Sequence, residues 1–269
     1  MNEILLYFGF TLVGAVTLRT LRIARCYTAV LTADESIFSQ NHKTSWSINL
    51  PIGLTCWPTA ICARVCYAAQ LSSAARWVKS IKKQLRVYAF LKQVSPEKAA
   101  HRIYADYHRI RTESRPPFIR VAAVGDVFLE LVLAVNAFLR RYPTVPLWVV
   151  TRKPEMVALL DRDAHNLVVC FSLDSSPESV DRMEQVLALR HPSVTFSFLR
   201  TRADDRVPAC VSVIYNLQQA KGLPNVDASR LCPADARLIP REGACLSGDP
   251  RCQRCFSAAV LTKHDERRV

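Results

Sequence analysis

"LTCWPTAICARVCYA", Leu54 to Ala68, carries three cysteines, Cys56, Cys62 and Cys66. It lies between a short β-rich run, Trp46–Leu50, and a long helical pattern, Ala74–Val94, so it reads as the loop that leaves one strand and enters a helix. In parallel α/β proteins ligands gather at that place, because helix N-termini and loop amides converge at the carboxyl ends of strands. Cys62 and Cys66 are four residues apart, so at a helix onset both thiols face one way, and "WPTAI" brings Cys56 round to meet them. Three thiolates without a nearby fourth ligand suit three irons of a [4Fe–4S] cluster and leave the last iron open. Zinc, completed by a His or a later Cys, is the competing metal. Three small buried thiols that bind nothing are the competing account without a metal.

Outward from this loop the chain alternates β-rich and helical runs. The strands expected after Trp46–Leu50 are Phe118–Val124, Leu147–Thr151, Leu167–Ser172, Val194–Leu199 and Val211–Tyr215. Several are apolar on both faces, as "LVVCF" is, which a parallel sheet covered by helices requires. Between them, Trp77, Ile81, Leu85, Tyr88 and Leu91 form one helical stripe. Ser95, Pro96 and Glu97 mark the start of the next helix, and Ser176 and Pro177 do the same further on. Val127–Tyr142 and "KPEMVALLDR" supply two more. Six strands alternating with helices predict an α/β fold, either a partial (β/α)6 TIM-like barrel or an open doubly wound sheet. The expected organisation is an apolar and basic N-terminal segment, 1–35, a main βα domain, 36–228, and a cysteine-rich extension, 229–269.

"SWSINLPIGLTCWPTAICARVCYA", "IRVAAVGDVF" and "PLWVVTRKP" together resemble the phage-borne gene-product-88 domain family, whose members look like relatives of the radical S-adenosylmethionine (SAM) superfamily. The likeness runs from about Ser39 to Phe256. It implies a partial barrel of radical SAM type with a [4Fe–4S] cluster on Cys56, Cys62 and Cys66 and with SAM chelating the open iron. Reductive cleavage of SAM to a 5′-deoxyadenosyl radical would follow, fed by an electron donor such as flavodoxin or ferredoxin. The spacing here is C-x5-C-x3-C, where that superfamily has CxxxCxxC. Its glycine-rich element is represented by "VGDV", in which Gly125 lets backbone approach a ligand and Asp126 suits an ammonium group. Asp126 also reads as the N-cap of the helix that follows. Thr151 and Arg152, Ser172 and Asp174 follow later strands, where a ribose or carboxylate would be held; ordinary turn and cap chemistry competes for each.

A second cluster, Cys232, Cys245, Cys252 and Cys255, ends in a C-x2-C pair and fits structural zinc or a second iron–sulfur cluster. Ten cysteines in 269 residues are grouped and not spread, which favours metal ligation in a reducing, cytoplasmic setting over disulfides. The net charge of +13 is concentrated between Arg64 and Arg120, where thirteen Lys and Arg face Glu97, Asp106 and Glu113. Such an excess suits a nucleic acid, and a non-catalytic, metal-stabilised nucleic-acid-binding protein is the alternative function. Residues 4–18 are apolar and precede Arg19, Arg22 and Arg25, yet they fall short of the about 20 residues a span needs, so membrane contact is not favoured. A helix laid on the domain surface and a disordered leader are the competing accounts. Hydrolase and kinase readings find no GxSxG elbow or P-loop to rest on.

Overall fold

The computed structural model describes residues 12–25, 29–41, 45–66, 68–69, 77–112, 115–216 and 230–232. The second part of the N-terminal apolar run, with the arginines after it, forms helix α1, Leu12–Arg25; residues 4–11 lie outside the described residues. It lies on the cysteine loop: the Thr17 side chain rests against Gly53, whose φ of +85° and lack of a Cβ make the approach possible. Among the described residues no helix is long and apolar enough to cross a membrane.

Seven strands form one sheet: β1 Phe38–Asn41, β2 Ser45–Ile48, β3 Ile119–Val121, β4 Leu147–Thr151, β5 Leu167–Leu173, β6 Val194–Arg200 and β7 Val211–Asn216. They follow one another across it in chain order. β1 and β2 pair antiparallel, Phe38 opposite Ile48, and every later neighbour pair is parallel. The six expected strands are all present, within a few residues at their ends. β1 is additional: "FSQN" has one apolar residue and no alternation that would reveal it.

The helices that join them are α2 Ala60–Val65, α3 Trp77–Gln93, α4 Pro96–Arg109, α5 Leu129–Arg141, α6 Pro154–Leu159 and α7 Pro177–Leu189. Ser95 caps α4 by accepting from the Lys98 amide, and Ser176 caps α7 by accepting from the Ser179 amide, each with proline in the first turn. The stripe read on α3 is realised at Ile81, Leu85 and Leu91, all buried.

One face of the sheet carries the core. Ile119, Val121, Leu147, Val149, Leu167, Val169, Phe171 and Phe198 pack with residues of α3, α4, α5, α6 and α7, such as Leu91, Ile103, Phe138, Val157 and Val186. Trp148, Val168, Cys170, Ser197 and Val213 are buried outside that core, on the alternate positions of the same strands. A doubly wound sheet reverses its strand order and has helices on both faces. Here the order runs straight through and α3 to α7 share one face, which sets that alternative aside. The fold is α/β with a seven-stranded, mostly parallel sheet; among the described residues β1 and β7 do not pair to close a barrel.

Candidate functional site

The loop after β2 is tied down at both ends. The Leu54 and Thr55 amides and the Thr55 hydroxyl all donate to the Pro51 carbonyl, at 3.3, 3.2 and 3.1 Å. The Leu50 amide donates to the Val124 carbonyl at 2.9 Å, which joins this loop to the one after β3. Gly125 makes that junction possible: at φ +78°, a Cβ would lie 2.6 Å from the Leu50 carbonyl oxygen. Its glycine character is therefore already explained by chain packing.

Thr59 caps α2, accepting from the Cys62 amide at 3.1 Å, and donates to Asp174 Oδ2 at 2.5 Å. One side chain thus starts the helix that bears Cys62 and pins it to the end of β5. Cys66 is the residue that closes α2. Cys62 and Cys66 share a thiol hydrogen bond, and Cys56 is close enough to act on both electrostatically. Cys56 and Cys66 pack with Ile52, Ala63, Ala68, Ala69 and Val124 in a small apolar cluster beneath the loop.

The thiols differ in acidity. Burial, assisted by the Asp126 charge, pushes Cys56 up to about 12. The hydrogen bond from Cys62, opposed by burial and helped by the Ala69 and Ala68 amides, brings Cys66 down to about 7, and the same bond followed by burial raises Cys62.

Two carboxylates organise the remainder. Asp126 Oδ1 accepts from the Thr151 hydroxyl at 2.7 Å and the Val127 amide at 2.8 Å, while Oδ2 accepts from the Arg152 amide at 3.2 Å. Its own amide donates to Thr55 Oγ1 at 3.1 Å. Asp174 Oδ2 accepts from Arg152 Nη1 at 2.6 Å as well as from Thr59, and Oδ1 takes the Ser176 amide and hydroxyl. Arg152 is a largely buried cation near Cys62, Asp126 and Asp174; burial works against its charge, and those three anionic or ionisable neighbours raise its pKa. Lys153 donates to the Val127 carbonyl at 2.9 Å.

Of the residues singled out in the sequence, Cys56, Cys62, Cys66, Gly125, Asp126, Thr151 and Asp174 are linked through this one network. Asp126 is not the helix cap that its position implies: α5 starts after Phe128, which has no side-chain cap bond, and the Asp126 carboxylate is spent on β4. Ser172 belongs elsewhere, accepting from the Ser197 hydroxyl at 3.3 Å on β6. Cys232 is buried, with its amide donating to the Ile214 carbonyl of β7 at 2.9 Å. Cys245, Cys252 and Cys255 lie outside the described residues. Thr55, Thr59 and Lys153 were not anticipated; Thr59 was discoverable as the capping type one residue before "AICARV". Among the described residues no group of three or more His, Cys, Asp or Glu side chains is placed to hold a metal ion.

Much of the basic charge between Arg64 and Arg120 is committed internally. Arg86 pairs with Glu35 at 2.6 Å, Lys92 with Glu130, and both Arg102 and Arg109 with the buried Asp106. Lys83 donates to the Phe38 carbonyl, and Arg115 donates to the His108 and Ile110 carbonyls. Lys79, Lys98 and Arg111 are exposed.

The fold and site define an α/β protein with a cysteine-bearing loop at the carboxyl edge of a mostly parallel sheet. The sequence model of the phage-related family Gene product 88 matches residues 23–258, and the chain belongs to that family. No curated protein and no solved structure is significantly similar to it.

Proposed function

We propose that the protein is an iron–sulfur protein of radical-SAM-like type, in which Cys56, Cys62 and Cys66 hold a [4Fe–4S] cluster and SAM is the co-substrate. The observation that carries this reading is the meeting of three thiols at the carboxyl end of β2, beside the buried Arg152–Asp174 pair. The strand order supports it as well. Parallel strands in unbroken sequence with helices on one face are compatible with a partial (β/α)6 barrel, in which ligands gather at the carboxyl ends of the strands. Three thiols without a fourth protein ligand suit a multi-iron cluster with one open iron, whereas structural zinc takes four protein ligands.

When bound, the cluster would supply one electron to cleave SAM reductively, drawn from a donor such as flavodoxin or ferredoxin. The chain itself orients and neutralises. Arg152 and Lys153 offset the negative charge of a thiolate-ligated centre. Thr59 fixes the start of α2, and Asp174 holds Thr59 and Arg152 in place together. Asp126 and Thr151 lock the loop after β3 onto the end of β4. Because their hydrogen bonds are already made, Asp126 and Asp174 act in this reading as positioning residues. Cys232, Cys245, Cys252 and Cys255 would form the second site, holding zinc or a further cluster. A reducing cytoplasm suits such thiols.

Anaerobic reconstitution with iron and sulfide tests the proposal. The expected product is brown, loses about four irons when any one of Cys56, Cys62 or Cys66 becomes Ala, and releases 5′-deoxyadenosine on adding SAM and reductant. Zinc as the sole metal, or iron loading indifferent to all three cysteines, would overturn it.

A further inference from the structure

β3 carries a cation on the sheet face opposite the core that α3 to α7 build. Arg120 stands between Ile119 and Val121, whose side chains enter the core, and is in register with Ser47 on β2 and Trp148 on β4. It is half-buried, its guanidinium carbon lies 4.6 Å from the Trp148 ring centroid, and its Nε is closed off from solvent with no hydrogen-bond partner. Among the described residues no carboxylate pairs with Arg120 and no carbonyl accepts from it. Other interior arginines differ: Arg152 is paired with Asp174, and Arg230 is spent on the Pro208 and Val211 carbonyls.

The register neighbours of Arg120, Ser47 and Trp148, are both buried. Ser47 donates to Asn49 Oδ1 at 3.0 Å, and the buried Cys170 thiol lies within electrostatic reach of the guanidinium. Withdrawing part of a guanidinium from water without a counter-charge costs free energy, and contact with an indole returns about 2 kcal/mol of it at most. The guanidinium fork matches carboxylate and phosphate oxygens two at a time. The guanidinium here already lies over the Trp148 ring.

We propose that this sheet face binds a ligand carrying an oxyanion, a carboxylate or a phosphate, and that Arg120 is the group that recognises it. The assignment rests on the sheet and not on the cysteine loop; under the function proposed above, it gives the charge class of the substrate.

Titration of the purified protein with inorganic phosphate and, separately, with acetate tests it, read from arginine Nε–Hε NMR correlations. Iron content is measured on the same sample, so failure of the cluster reading and failure of this one are seen separately. The expected result is saturable movement of the Arg120 resonance, assigned by its loss in Arg120→Lys. Arg120→Gln should weaken the favoured anion about tenfold, and Arg111→Gln, an exposed control, should leave it unchanged. Preference for phosphate or for acetate names the oxyanion. Should Arg120→Gln fail to fold, Arg120→Lys decides, because it keeps the charge and loses the fork: weaker binding supports the assignment and equal binding overturns it. Absence of saturation by both anions, or undiminished binding in Arg120→Gln, also overturns it.

Discussion

Gly125 and Asp174 each serve two elements at once, and each yields a measurable expectation. Gly125→Ala places a Cβ against the Leu50 carbonyl and forces a non-glycine residue to positive φ. The expected loss is about 2 kcal/mol or more in urea unfolding; an unchanged midpoint would show that the β2 and β3 loops part easily. Asp174→Asn leaves Arg152 buried without its counter-charge and weakens the Thr59 link. A loss of about 3 kcal/mol is expected, the usual result of breaking a buried pair from one side. Asp126 shows how a residue misleads when read locally. An aspartate just ahead of a helix has the form of a cap, yet its acceptors reach Thr151 and Arg152, 25 and 26 positions along the chain.

Among the elements, α2 is the one whose placement governs the cysteines. It has six residues, too short to persist without tertiary support. Thr59→Val removes both its cap and its tether. The expected outcome is faster alkylation of Cys62 and Cys66 by iodoacetamide, read by mass spectrometry, with the sheet unchanged by far-ultraviolet circular dichroism; labelling at the wild-type rate would count against the tether. At α4 and α7, Ser95→Ala and Ser176→Ala should each cost about 1 kcal/mol of stability. Strands such as "LVVCF" and helices with Ser-Pro starts were legible in the sequence because burial on both faces and capping leave local patterns. The cysteine loop was legible by its density of thiols. The Thr59–Asp174 contact was not: it spans 115 positions, and no periodicity records such a pairing. β1 escaped because its pairing with β2 uses backbone groups that every residue possesses.

For the whole molecule, acid is the informative stress. Burial alone would raise Asp174, but the Arg152 charge and hydrogen bonds from Ser176 and Thr59 outweigh it and hold the carboxyl below its ordinary 3.8. Asp205 is likewise held low against burial, by the Thr201 and Arg202 amides. Such groups contribute stability that is complete above the unfolded value and is lost as pH falls through the lower folded values. Asp126 runs the other way: burial dominates and raises it, so its ionisation detracts from stability as pH climbs above 3.8. Urea midpoints should therefore fall on acidification below about pH 4, and less steeply in Asp174→Asn. Equal slopes for the two proteins would remove Asp174 from the account. The unbroken strand order also bears on synthesis. Each strand from β3 onward joins the one made just before it, so a chain emerging from the ribosome always meets a finished template, and an interruption at any point leaves a single growing margin with no gap behind it.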